Sequence, residues 1–134
     1  MSVSFTIGVV VVVQREGRYL MIRRAAGVVA PGTWCFVGGA VELGESQAQA
    51  AVREFREEVG GDVRPVRAVW EYLRPDGRLR LHYWLADLLS HDLRANPAEV
   101  AEMRWCRLPE ILALPDLLPS NREFVPFLIA QSGT

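Results

Sequence analysis

Cysteines and histidines are few in this chain of 134 residues, and its net charge is small. Cys35 and Cys106 are the only cysteines, and neither lies in a CxxC or Cys/His spacing. This pattern argues against a disulfide scaffold and a zinc site, and it favours a reducing, cytoplasmic setting. A formal net charge of −1 without a basic stripe argues against general nucleic-acid binding. The apolar run 7–13 is too short to span a bilayer, so no membrane association is expected.

Hydrophobic residues make up 50% of the chain, which is enough for one core, and we expect a single domain over residues 1–134. A Pro75-Asp76-Gly77 turn predicts a hairpin, and Ser120 with Glu123 fits a capping box before a last helix, which Pro126 would kink or delay. Strands and helices mixed in this order indicate an α/β sandwich. The predicted strands are 6–14, 19–23, 34–37, 63–73, 79–89 and 103–107, and the predicted helices are 47–59, 109–114 and 124–130.

The most informative segment lies between Gly39 and Gly61. Ser46 followed by Gln49 fits a capping box, and the Gly60-Gly61 pair supplies a C-terminal stop, which together predict the helix over 47–59. Glutamates at 54, 57 and 58 stand at i, i+3 and i+4 and share one face, about 125° round from the apolar stripe. We expect this acidic face to border a cleft or solvent. The apolar stripe consists of Ala48, Ala51, Val52, Phe55 and Val59.

The acidic face is electrostatically unfavourable in an isolated helix. Like charges at these offsets each destabilise a helix by roughly 0.2 to 0.5 kcal/mol, and the macrodipole disfavours anions in the last turn. Arg53 can reach Glu57 and relieve part of the repulsion. A divalent cation with a preference for hard oxygen ligands, Mg²⁺ or Mn²⁺, would resolve the rest. The alternative is a solvated surface helix, since Glu and Arg are good helix formers.

The spacing of these residues resembles the Nudix box, the signature of hydrolases that act on nucleoside diphosphates linked to another moiety. The resemblance implies the Nudix fold, an α/β/α sandwich with a central mixed β-sheet. The chain departs from the usual box in two places. Gly61 stands where an aliphatic residue is usual, which predicts looser packing behind the helix, and Val37 replaces the usual proline before Gly38-Gly39, which predicts a less rigid entry loop. The run reads Gly39-x5-Glu45-x7-Arg53-Glu54-Phe55-x-Glu57-Glu58-x-Gly60.

The resemblance also implies a role for each residue of the box. Arg53 would orient the site, and Glu45 would support it by pairing with Arg53. A later acidic residue would complete the site; Glu99 and Glu102 are the candidates, and we favour Glu102. Either acid could instead be an ordinary surface residue. The implied metal ligands are the carbonyl of Gly39 and the carboxylates of Glu54, Glu57 and Glu58, and the implied catalytic set is Arg53, Glu54, Glu57, Glu58 and Glu102.

Three further residues are candidates for binding substrate. Arg23 and Arg24 end a strand near the predicted site, and adjacent residues of a strand point to opposite sides, so one of the two could meet a phosphate. A solvated arginine at the sheet edge is the alternative. Trp34 occupies a place where the family often has tryptophan; it could stack on a base, and core packing is the alternative.

The resulting hypothesis is a Mg²⁺- or Mn²⁺-dependent Nudix pyrophosphohydrolase that cleaves a phosphoanhydride bond in a nucleoside diphosphate derivative or a nucleoside triphosphate. Glu54 or a later acid would accept a proton from the attacking water. The rivals are an inactive Nudix-fold nucleotide sensor, a GDP-sugar glycosyl hydrolase variant and a structural domain whose acidic helix binds no cation. The expected partner is a small nucleotide; dimers are common among look-alikes, so a homodimer is one possible assembly, and the sequence does not fix the oligomeric state.

Overall fold

The computed structural model describes residues 5–132, which form two four-stranded sheets and three helices. Within these residues, no helix is both long and apolar enough to cross a membrane. The strands are β1 (Thr6–Val12), β2 (Gln14–Arg15), β3 (Arg18–Arg24), β4 (Trp34–Cys35), β5 (Val37–Ala40), β6 (Val63–Leu73), β7 (Leu79–Leu88) and β8 (Val100–Cys106). The helices are α1 (Gln47–Val59), α2 (Leu108–Leu112) and α3 (Pro119–Ser132).

The first sheet has the strand order β5-β1-β7-β6 and is mixed, because β1 runs parallel to β7 and antiparallel to β5. In the second sheet β3 pairs antiparallel with β2, β4 and β8. A β-bulge interrupts the β3–β8 pairing between Arg23 and Arg24, so Arg23 opposes Glu102 whereas Arg24 opposes Val100.

Hydrophobic residues on the two faces of the sheets form two separate cores. One core joins alternate residues of β1 and β3 to the buried face of α1, including Ala51 and Phe55. The other joins the intervening strand residues to α2 and α3, including Ile111 and Phe124. Helices therefore cover both faces of the sheets, and the predicted α/β/α sandwich with a mixed sheet is confirmed.

Helix α1 has the predicted bounds, and its two ends are held as the sequence indicates. Ser46 and Gln49 form both hydrogen bonds of a capping box. Gly60 ends the helix in the left-handed region at φ 67°. The looser packing expected at Gly61 is wrong, because a Cβ there would lie 2.4 Å from Leu93 Cδ2. The Leu93 side chain occupies the space beside this glycine.

Two local predictions are also wrong. Gly38-Gly39 is not an entry loop but part of β5, where a Cβ on Gly38 would lie 2.4 Å from the Val9 carbonyl oxygen of the neighbouring strand. Ser120 does not cap α3, because the helix already begins at Pro119, and the carbonyl of Leu118 accepts from the first free amides. Pro126 lies inside α3.

Candidate active site

Arg53 is the centre of the ion pairs on α1. Its Nε lies 2.7 Å from Glu45 Oε2, and its Nη1 lies 2.8 Å from Glu54 Oε1 and 3.2 Å from Glu57 Oε2. Its Nη2 donates to Glu45 Oε1 at 2.9 Å and to the carbonyl of Ala40 at 2.9 Å. The hydrogen bonds from Arg53 and from the backbone amide of Glu42 lower the pKa of Glu45 to about 2. Arg53 thus ties the segment between β5 and α1 to the helix and fixes the Glu54 carboxylate.

The three helix glutamates do not share one environment. Glu57 is exposed, the Glu54 side chain is largely covered, and Glu58 is buried with 5% of its surface exposed. The acidic face is thus divided between an exposed position at Glu57 and a buried position at Glu58. A helix face spans a wide arc, and Glu58 lies on the same buried side of α1 as Ala51 and Phe55, where the helix packs against the first sheet.

Glu54 and Glu58 line a small pocket of about 180 Å³ together with Glu99. Its other walls come from Arg24, Val28 and the glycines of β5. A Cβ on Gly39 would lie 2.4 Å from the Glu54 carboxyl carbon, so only glycine lets this carboxylate lie against the strand. Glu57 does not line the pocket.

The pocket holds more acidic groups than it can ionise together. Burial, a hydrogen bond with Glu54 and the charges of Glu54 and Glu99 raise the pKa of Glu58 to about 10. Burial and the charges of Glu54 and Glu57 also raise the pKa of Glu99. One oxygen of Glu58 and one of Glu99 are buried without a hydrogen-bond partner. In the absence of a cation, Glu58 therefore keeps its proton at neutral pH.

These carboxylates suit a hard divalent cation. Unpartnered buried carboxylate oxygens are the donors that Mg²⁺ or Mn²⁺ takes, and a cation would offset their mutual repulsion. Over residues 5–132, however, no three acidic, histidine or cysteine side chains already converge as a ligand cluster. The pocket offers suitable donors, and the side chains would complete their convergence on binding the ion.

Glu102 lies away from this pocket, which corrects the choice between the two later acids. Its carboxylate lies 3.4 Å from Arg23 Nε and 3.0 Å from Arg104 Nη2. The side chains of Arg23 and Glu102 are paired across β3 and β8, on the face opposite Arg24. Arg24, not Arg23, lines the pocket, and Glu99 is the later acid that the structure brings to Glu54 and Glu58.

Trp34 is buried in the core with 3% of its surface exposed, which is the core-packing alternative and not a base-stacking platform. The guanidinium of Arg104 covers its ring at 4.7 Å from the centroid. The hypothesis that Trp34 binds substrate therefore has no support from its position.

A larger cavity of about 550 Å³ adjoins the acidic pocket, since Arg24, Gly38 and Gly39 line both. Its walls are mostly apolar, and Tyr72 and Asn121 are among the residues that sequence analysis missed. No local pattern marks them, because they come from β6 and α3 and meet only in the tertiary structure. Pro75, from the turn between β6 and β7, also lies at this cavity.

Comparisons with known proteins give the relatives of this chain. A family model described as NUDIX domain matches residues 4–128. A CTP pyrophosphohydrolase of Escherichia coli K12 is 36% identical over 124 residues, which is 91% of this chain and 87% of the relative. An isopentenyl-diphosphate Delta-isomerase of Escherichia coli O127:H6 is 32% identical over 87% of this chain and 68% of its own length. The solution structure of the E. coli ORF135 protein superposes with a TM-score of 0.79 at 32% identity, covering 95% of this chain and 90% of that one.

Proposed function

The chain belongs to the NUDIX family of pyrophosphohydrolases, and we propose that it is a divalent-cation-dependent enzyme that hydrolyses a phosphoanhydride bond of a nucleoside triphosphate or a nucleoside diphosphate derivative. One observation carries the proposal. The acidic pocket of Glu54, Glu58 and Glu99 opens beside a largely apolar cavity of about 550 Å³ across the shared residues Gly38 and Gly39. An apolar cavity joined to a pocket of carboxylates that can bind a cation fits a ligand with an aromatic base at one end and phosphates at the other. The similarity to a CTP pyrophosphohydrolase supports the same substrate class.

We assign the metal to Glu54 and Glu58, with the carbonyl of Gly39 as a further oxygen donor and Glu57 on the exposed side of the same helix face. When bound, Mg²⁺ or Mn²⁺ neutralises phosphate charge and makes a bound water more acidic. The hydrogen-bonded Glu58 proton would leave as the cation enters, because both compete for the same carboxylate oxygens.

The remaining roles follow from contacts within this chain. Arg24 lines both the pocket and the cavity, so its guanidinium is placed to donate to phosphate oxygens. Arg53 positions Glu54 through the 2.8 Å contact and does not face the cavity. Glu99 has an unpartnered buried oxygen and a raised pKa, which suit a group that accepts a proton from the attacking water.

The test compares Glu99→Gln with Glu102→Gln as a matched pair of isosteric changes on neighbouring residues. Turnover of a nucleoside triphosphate panel with Mg²⁺ should fall by about 10² to 10⁴ in Glu99→Gln, the usual contribution of a general base. Glu102→Gln should retain activity, because the Glu102 carboxylate pairs with Arg23 and Arg104 and does not line the acidic pocket. Equal losses in both variants, or activity of Glu99→Gln at the level of the unchanged protein, would contradict the assignment.

The nucleoside triphosphate panel, extended to GDP-sugars and paired with calorimetry, separates the rival functions. A nucleotide sensor would bind nucleotides and release no product, whereas a structural domain would bind neither nucleotide nor Mg²⁺ in calorimetry. A GDP-sugar glycosyl hydrolase would release free sugar from GDP-sugars, and an isomerase would leave the phosphoanhydride bond intact. The cytoplasmic setting and the homodimer stay predictions.

A further inference from the structure

Asn96 joins the end of α1 to the turn that carries Glu99. Its backbone amide donates to the carbonyl of Glu58 at 2.9 Å, and its side-chain Nδ2 donates to the carbonyl of Glu57 at 3.2 Å. The carbonyls of the last helical turn have no partner within the helix, so they are available as acceptors. Asn96 therefore binds the part of α1 whose side chains form the acidic face.

The remaining contacts of Asn96 shape the turn itself. Its Oδ1 accepts from the backbone amide of Ala98 at 3.1 Å. Its carbonyl accepts from the amides of Glu99 at 2.9 Å and Val100 at 2.8 Å. Asparagine followed by proline favours the start of such a turn, and Pro97 occupies the next position. The side-chain oxygen faces an amide and the side-chain nitrogen faces a carbonyl, so one side chain holds both the turn and the helix end.

The turn is held on its other side by the end of β3. The carbonyl of Glu99 accepts from the amide of Ala25 at 3.0 Å, and Ala25 directly follows Arg24. The backbone of Glu99 is thus fixed between Asn96 and Ala25. One oxygen of the Glu99 carboxylate is buried without a hydrogen-bond partner, and this residue lines the acidic pocket with Glu58. The position of that oxygen therefore depends on where the turn lies.

We propose that Asn96 is a positioning residue, which holds the Glu99 carboxylate in place relative to Glu58 by tying the turn to the end of α1. The inference rests on the proposed function, in which Glu99 accepts a proton from the attacking water. Turnover depends steeply on the placement of reacting groups, and a misplacement near 1 Å costs about 10²-fold. Asn96 does not line the acidic pocket or the large cavity, so it acts through Glu99 and not on the substrate.

The test measures kcat and KM for the best nucleoside triphosphate of the panel, with Mg²⁺, in Asn96→Ala and Asn96→Asp. Asn96→Asp keeps an acceptor for the amide of Ala98 but loses the donor to Glu57, so both variants release the turn from the helix. We expect kcat to fall by about 10- to 100-fold in each variant. KM should be unchanged, because Arg24 and the large cavity are not altered.

Ser90→Ala is the matched control. The hydroxyl of Ser90 accepts from the backbone amide of Asp62 at 2.7 Å, just beyond the same end of α1, and Ser90 does not line the acidic pocket. The control should keep the kcat of the unchanged protein. An equal fall in Ser90→Ala and Asn96→Ala would overturn the inference, because any lost contact near the helix end would then have the same effect.

A double variant shows whether Asn96 acts through Glu99. Asn96→Ala should cause no further loss of turnover in a Glu99→Gln background, because the group that it positions is already absent. A purely structural role would instead multiply the two losses. Multiplied losses, a raised KM with an unchanged kcat, or full activity of Asn96→Ala or Asn96→Asp would overturn the inference and leave the proposed hydrolase intact.

Amide hydrogen exchange of the metal-free protein separates the inference from the proposed function. The amides of Glu99 and Val100 donate to the Asn96 carbonyl, which Asn96→Ala leaves in the chain. Their exchange should become about fivefold faster in this variant, the size of one lost hydrogen bond, and Ser90→Ala should not change it. If the unchanged protein hydrolyses no nucleotide, faster exchange in Asn96→Ala would support the positioning of Glu99 while the proposed function fails. Unchanged exchange in Asn96→Ala would overturn the inference.

Discussion

Replacing Glu58 by glutamine should stabilise the protein in the absence of a metal. Glu58 is buried against Glu54 and Glu99, and its pKa rises from the ordinary 4.5 to about 10 in the folded chain. Between these two values the folded state holds a proton that the unfolded state has released. The free energy of unfolding therefore carries no penalty from this group below pH 4.5, and it falls as the pH rises towards 10.

The size of this effect follows from the two pKa values. Each pH unit within the window lowers the free energy of unfolding by about 1.4 kcal/mol. Since the folded-state pKa lies above 7, the penalty at pH 7 is set by the interval from 4.5 to 7 and reaches about 3 kcal/mol. Glutamine has nearly the same shape, can donate to Glu54 and has no proton to lose, so Glu58→Gln should remove this penalty.

The assay is urea unfolding of both proteins in EDTA between pH 4.5 and 8. The stability advantage of Glu58→Gln should be near zero at pH 4.5 and grow to about 3 kcal/mol at pH 7. Glu99, whose pKa is also raised, contributes to both proteins alike. Adding Mg²⁺ should stabilise the unchanged protein much more than the variant, because the cation takes the place of the Glu58 proton. Parallel pH profiles for the two proteins in EDTA would refute the reasoning.

Two glycines yield further predictions. Gly39→Ala should displace the Glu54 carboxylate and reduce turnover by about 10²-fold, as expected for a misplacement near 1 Å, while thermal unfolding shows an intact fold. Gly27→Ala is the matched control in the same assay and should retain activity, because a Cβ added at Gly27 would have no atom within 4 Å. Gly61→Ala should lower the free energy of unfolding by about 1 to 3 kcal/mol through overpacking against Leu93. Adding Leu93→Ala should recover part of that loss in urea unfolding, and a double variant whose losses simply add would contradict this explanation.

Glu58 and Gly39 together indicate how the fold tolerates its acidic pocket. The strand carries no side chain where the Glu54 carboxylate lies, and a proton or a cation balances the buried charge of Glu58. The folded chain without a cation is thus held below its attainable stability, as is common where buried charge serves a site.

The helix that carries the Nudix box was determined by the sequence alone. Its bounds follow from interactions between residues a few positions apart, the Ser46–Gln49 capping box at one end and Gly60 at the other. The i, i+3 and i+4 spacing that places Glu54, Glu57 and Glu58 side by side is equally local. The order of strands and helices likewise predicted an α/β sandwich, and the resemblance to the Nudix box implied the α/β/α layers.

Only the tertiary structure decided which residues from other elements meet this helix. The regular register between β3 and β8 pairs Glu102 with Arg23, and beyond the β-bulge between Arg23 and Arg24, Arg24 and Glu99 line the acidic pocket. No local signal marks that bulge, because the register between β3 and β8 depends on side chains distant in the chain. The same limit applies to Glu58, which is buried because its side of the helix packs against the first sheet.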